Sequence, residues 1–181
     1  ITILYGKQLG WQVYGKIAKH GWGWFVASIF IAVVLHDTWF YWTHRLLHQP
    51  QLFRAAHARH HASVHPSPWA AYAFHPLDAA VQAAFFPAFV FVVPTHDSVI
   101  GLFLLHMIVR NAIGHCAHEL LPWRATRSGW LRWITPVSHH HFHHARNRGN
   151  FGLYFTWWDR WCGTQDDAYL VNGDQRFGVQ T

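Results

Sequence analysis

Acidic residues are scarce in this chain, eight in 181, and Glu119 is the only glutamate. A carboxylate-rich di-iron bundle takes glutamates from four helices, two of them in Glu-x-x-His pairs, so that architecture is excluded. Charge of either sign is also low, at 12%, about half the usual share. With 51% hydrophobic residues, such a chain collapses or enters a membrane, which excludes intrinsic disorder. The formal charge is +6, but the 14 basic residues accompany long uncharged runs, which argues against a nucleic-acid partner. Cys116 and Cys162 form no C-x-x-C, so neither a disulfide framework nor a Cys-ligated zinc knuckle is expected. Also missing are H-E-x-x-H, a phosphate loop, a dinucleotide fingerprint, a haem attachment motif and a Ser-His-Asp arrangement. The chain begins at Ile1 without a signal-peptide pattern. It is expected to be a piece of a longer protein whose start is missing.

Long apolar runs are present instead. Trp22–Trp42 holds 21 residues interrupted only by His36-Asp37, near the roughly 20 needed to cross a bilayer. A second apolar region, 77–113, is broken at Pro94-Thr-His-Asp97. Its halves, 77–93 and 98–113, are short for a straight crossing but fit a tight helical hairpin that dips into or thinly spans the membrane. One crossing followed by an out-and-back hairpin places 44–68 and everything after His115 on one face. That face carries Arg45, Arg54, Arg59, Arg124, Arg127, Arg132, Arg146, Arg148 and Arg160, while Lys7, Lys16 and Lys19 fall on the other. The bias suits a cytoplasmic His-rich face on an integral membrane protein of the bacterial inner membrane or endoplasmic reticulum. Trp123, Trp130, Trp133, Trp157, Trp158 and Trp161 sit beside those arginines, as residues of a membrane–water interface or as core filling. No internal repeat or linker divides the chain, so 1–181 reads as a single domain.

The 18 histidines are not scattered. His44-Arg-Leu-Leu-His48 has spacing i, i+4, and both His57-Ala-Arg-His60-His61 and His140-His-Phe-His143-His144 have spacing i, i+3, i+4. On an α-helix each set shares one face. Eight imidazoles brought together exceed what one tetrahedral zinc takes, so two metals are the economical reading. Neutral imidazole suits Fe, Zn, Cu and Ni. His20, His36, His65, His96, His106 and His139 match no set and are expected to play ordinary structural roles.

The order H-x-x-x-H, H-x-x-H-H, H-x-x-H-H resembles the histidine boxes of the fatty acid hydroxylase superfamily of membrane enzymes. Tyr41-Trp-Thr-His-Arg45, Pro66-Ser-Pro-Trp-Ala70, Phe74-His-Pro-Leu-Asp78, Asn150-Phe-Gly152, Trp158-Asp-Arg160 and Gly163-Thr164 extend the resemblance over about 36–164. The Pro-x-Pro and Phe-His-Pro elements look most like the sterol C-5 desaturase branch. The resemblance implies an all-α membrane bundle with a cytosol-facing His-rich cap that holds two iron ions, with zinc possible in purified material. It implies O2-dependent hydroxylation or desaturation of a lipid C–H bond, a step whose oxidant must come from a cofactor because acid–base side chains cannot supply it. Electrons would come from an external cytochrome b5 or ferredoxin-type donor.

By resemblance the metal ligands are His44, His48, His57, His60, His61, His140, His143 and His144. Hydroxylases of this family show a further His pair spaced i, i+4 where this chain has His115-Cys-Ala-His118-Glu119. His115 is therefore expected as a ligand together with His118, with Glu119 the alternative to His118. His75, in Phe-His-Pro, would ligate a metal or bond to a ligand. Asp37, Asp78, Glu119 and Asp159 are candidates to accept hydrogen bonds from ligand imidazoles, or else to cap helices and pair with arginines. Two rival functions fit the pattern less closely: a non-catalytic membrane metal-binding or transport protein, and a dizinc membrane hydrolase.

Overall fold

The computed structural model describes residues 8–120 and 129–171 together with Gly6, Pro122 and Thr126. Lys7, Trp123, Arg124 and Arg127 lie outside the described residues.

Helix α1, Gly21–Leu47, is the longest element. Its interior holds no proline and no glycine after Gly23, and its 27 residues rise about 40 Å. It stops because Gln49 precedes Pro50, and a residue before proline avoids helical backbone; Gln49 is extended, at ψ 140°. The expected hairpin forms, with its outgoing limb in two pieces, α2 (Pro76–Ala83) and α3 (Phe85–Val92). The break at Ala84 has a local cause. Pro87 has no N–H to offer the Ala83 carbonyl, so the ladder is interrupted there. The returning limb, α4, is Asp97–Gly114.

At the hairpin tip Thr95–His96 pairs in parallel with Val13–Tyr14, a two-residue ribbon that a purely helical expectation did not include. The Trp24 indole N–H donates to the Pro94 carbonyl at 2.7 Å and that of Trp39 to Val81 at 3.1 Å, fastening the hairpin along α1. Val13, Ala32, Phe85, Phe89, Val90, Val93 and Phe103 fill the space between. α1 and α4 end together on the side opposite the tip. There they meet two further helices, α5 (Val137–Arg146) and α6 (Trp157–Trp161), and the connecting loops.

The apolar surface of α1 and α4 faces outward. Only 22% of the most apolar stretch of α1 and 11% of that of α4 is buried, where a soluble core helix would be mostly enclosed. Trp22, Val26, Phe30 and Val34, each four residues apart, form one exposed row on α1. These helices associate with a membrane. The interfacial reading of the tryptophans divides: Trp130 and Trp161 are exposed, whereas Trp158 stacks on Tyr41 and donates to Thr38 Oγ1.

Candidate metal centre

Nine histidines converge where α1, α4 and α5 end, and they do so as two groups. His44, His48, His57, His61 and His143 form one; His60, His115, His140 and His144 form the other. Within each group the ligand atoms all lie within 4.8 Å of one another.

The local conformation of each motif explains the division. His44 lies in the last turn of α1 and His48 is its C-terminal cap, so the i, i+4 pair enters one group together. In α5, His140 and His144 are likewise four apart and share the second group. His143 is rotated from His144 by one residue, about 100°, and faces the first. The middle motif makes the mirror choice: His57 and His61 join the first group and His60 the second. Its backbone is not the regular α-helix expected from its spacing. His57 ends a π turn, Phe53–His57, in which the Ala58 N–H reaches the Phe53 carbonyl at 2.8 Å, and His60–Ala62 is a 3₁₀ turn. Three histidines expected on one face are thus distributed between two groups.

The rings are aimed by acceptors on their far nitrogens. Nδ1–H of His44 donates to the Phe151 carbonyl at 3.0 Å, that of His143 to Gly149 at 2.7 Å and that of His115 to Asn111 at 2.8 Å. Nδ1 of His57 lies 2.7 Å from Oδ2 of the buried Asp78. Each partner places the proton on Nδ1 and leaves the Nε2 lone pair for a metal.

Two observations show that the residues fit metal ions. Nε2 of His44, His48 and His57 is buried without a hydrogen-bond partner. Between rings, Nε2 atoms approach closely: His140 to His115 at 3.0 Å, His143 to His61 at 3.1 Å, His144 to His140 at 3.2 Å and His115 to His60 at 3.5 Å. Ligands about 2.0–2.1 Å from one ion stand roughly 2.9–3.4 Å apart along an edge of its coordination polyhedron, so the first three separations match shared coordination and the fourth lies just beyond it.

Burial, reinforced by neighbouring imidazoles, favours the neutral ring at most of these positions. It pushes His48 and His144 down to about 3, and burial alone takes His115 to about 4. His60, His61, His140 and His143 are lowered by the same causes.

Three of the candidate positions, His118, Glu119 and His75, lie outside both groups. His118 is exposed, with its Nδ1 on the Cys116 carbonyl at 3.0 Å. α4 ends at Gly114 and Ala117 adopts a left-handed φ of 58°, which turns the chain away before His118 can face inward. Glu119 joins neither group. Its Oε2 accepts from the Ser138 N–H at 3.0 Å and the Ser138 hydroxyl at 2.9 Å, holding the first turn of the helix that carries His140, His143 and His144. His75 caps α2 by accepting the Leu77 N–H at 3.2 Å. The helix it starts delivers Asp78 to His57.

Two other aspartates act one step further out. Asp37 Oδ1 accepts the N–H groups of Tyr154 and Phe155, and Asp159 accepts those of Phe151 and Gly152. Together they fix the loop whose carbonyls aim His143 and His44. Gly152 is required there, since a Cβ would collide with the Phe155 carbonyl and press on Asp159. Sequence reasoning noticed Asn150-Phe-Gly152 only through resemblance; a bare Asn-x-Gly has no spacing rule that points to imidazole carbonyl partners. His139, buried beside Asp159 at 3.4 Å, lies outside both groups, as expected.

The family model described as fatty acid hydroxylase matches residues 29–164, which include all nine clustered histidines. The chain belongs to the fatty acid hydroxylase family. Sterol-modifying enzymes are among the curated proteins it is similar to. A Δ7-sterol 5(6)-desaturase of Gibberella zeae is 33% identical over 84% of this chain and 46% of its own length. A second Δ7-sterol 5(6)-desaturase, from Aspergillus fumigatus, is 30% identical over 84% of this chain and 52% of its own. The lathosterol oxidase of Rattus norvegicus is 33% identical over 80% and 47%. The chain therefore spans about half the length of the curated relatives it matches. No solved structure matches it. For a fatty acid hydroxylase family member, an all-imidazole donor set at the membrane ends of its apolar helices is a metal site.

Proposed function

We propose that this fatty acid hydroxylase family member is a membrane-bound, O2-dependent oxidoreductase that holds two iron ions and hydroxylates or desaturates a C–H bond of a lipid. The observation that carries the reading is the division of nine histidines, eight buried and His48 half-buried, into two adjacent groups with no carboxylate in either among the described residues. His44, His48, His57, His61 and His143 would hold one ion and His60, His115, His140 and His144 the other; His118, His75 and Glu119 stay outside. Bound iron supplies the O2-derived oxidising power that side chains lack.

The chain's own residues do the rest. Phe151, Gly149, Asn111 and Asp78 hold the ring protons of four ligands on Nδ1. Asp37 and Asp159 keep the 149–155 loop rigid, and Phe53 and Phe151 pack on His48 at 5.3 and 5.1 Å, excluding water from one side of the first group. The names of the relatives favour a sterol substrate over an acyl chain. Electrons would arrive from an external cytochrome b5 or ferredoxin-type donor at the arginine-rich, cytoplasmic face.

The test is metal analysis of the detergent-purified chain, joined to lipid profiling of cells with and without it. Two irons per chain and a lipid changed by one oxygen or two hydrogens are expected. Zinc with hydrolysis products, or reversible metal loading with an unchanged lipid profile, would overturn the reading in favour of a hydrolase or a carrier.

A further inference from the structure

The outward face of α4 leads to a metal-side histidine. Leu102, Leu105 and Ile108 are exposed, and Ile108 and His115, seven residues and about 10 Å apart, lie on one face that is buried at its His115 end. Between Ile108 and His115 that face is crossed by the 3₁₀ turn Pro68–Tyr72, which packs on α4. Asn111 Nδ2 donates to the Ala71 carbonyl at 3.1 Å and the Tyr72 hydroxyl to that of Ile108 at 3.4 Å. From Tyr72 an aromatic path turns inward. Its ring meets Phe74 edge-on at 6.3 Å, and Phe74 lies 5.2 Å from His60, which shares its group with His115. Trp69, at the head of the turn, is 87% exposed, as suits an aromatic at a bilayer surface.

We propose that Tyr72 and Phe74 wall the passage by which the hydrocarbon body of a membrane lipid travels from the outer face of α4 to His60, with Phe74 limiting how far it enters. Tyr72 is the lipid-side member, half exposed. Phe74 is the inner one, partly buried against the ligand ring. Trp69 holds the turn at the membrane surface. Substrate would thus approach the His60 group and not the His44 group, which is walled by Phe53 and Phe151. The inference deepens the proposed function, but it concerns lipid contact and not turnover.

The full chain in lipid nanodiscs is loaded with a diazirine-bearing fatty acid or, separately, a diazirine-bearing sterol. Samples are irradiated, digested and mapped by mass spectrometry. Adducts are expected on 69–75 and on 57–61 as well as along Leu102–Val109, and whichever probe labels 57–61 identifies the hydrocarbon as chain or ring. Phe74→Trp should lower labelling of 57–61 several-fold and Phe74→Ala raise it, both with unchanged metal content and unchanged labelling of 102–109. Adducts confined to the exposed faces of α1 and α4 would overturn the proposal. So would equal loss of metal in both variants, which would make Phe74 a packing support for His60. A chain that carries zinc or lacks turnover would fail the oxidoreductase reading while this labelling could still succeed.

Discussion

Replacing Asp78 by Asn should weaken one metal group and spare the other. Asp78 is 1% exposed, and its Oδ2 is 2.7 Å from Nδ1 of His57, a member of the five-histidine group only. Asn keeps the size and an acceptor oxygen, but the bond falls from a charge-assisted one, worth about 1.5–3 kcal/mol, to a neutral one of about 0.5–1.5. The difference, on the order of 1–1.5 kcal/mol, is roughly a tenfold loss of affinity at that group, at the lower end of the 10–100-fold typical for a ligand's hydrogen-bond partner. Asp78→Ala removes the acceptor altogether and leaves the His57 N–H buried and unpaired, a further ~1–3 kcal/mol. Competitive chelator titration of the purified variants should show two affinity classes where the parent shows more nearly one. Limiting metal should then give about one ion per chain. Equal weakening of both groups, or an Ala variant no worse than Asn, would refute the assignment of Asp78 to His57.

His115→Ala should cost the metal of the four-histidine group, while His118→Ala leaves metal content unchanged, by elemental analysis; equal losses would restore His118 as a ligand. Gly152→Ala should destabilise by about 1–3 kcal/mol, as overpacking does, and loosen His44 through Phe151; an unchanged melting temperature would argue against the loop's role. The metal-free chain should lose stability as pH falls below 6.5. The folded state holds His115, His48 and His144 neutral down to about 4, 3 and 3. The unfolded chain binds their protons from about 6.5 downward. Each group therefore removes about 1.4 kcal/mol per pH unit, and a flat melting temperature between pH 7.5 and 5 would contradict it. Carbonate-washed membranes should retain the protein through the exposed apolar faces of α1 and α4; recovery in the soluble fraction without detergent would contradict the membrane assignment.

Much of this arrangement is legible in the residues alone. Hydropathy over Trp22–Trp42 and the Pro94 break foretell α1 and the hairpin, because helix length and proline chemistry are local. Histidine spacing likewise marks eight of the nine clustered rings, since i, i+4 neighbours face one way on any helical turn. Spacing cannot say which ring of an H-x-x-H-H motif goes to which group. That depends on how α5 and the irregular 53–62 segment are turned toward each other, and the π turn at Phe53–His57 leaves no signature in the residues. That neither His118 nor Glu119 joins a group follows from where α4 stops and from the left-handed Ala117, a property of the backbone after Gly114. The partner of His57 is 21 residues away, and the carbonyls that aim His44 and His143 belong to a loop held by Asp37 from more than a hundred residues earlier. Contacts at that separation are set by packing around the hairpin core, so the identity of the donors belongs to the sequence and their division, aim and neutrality belong to the tertiary structure.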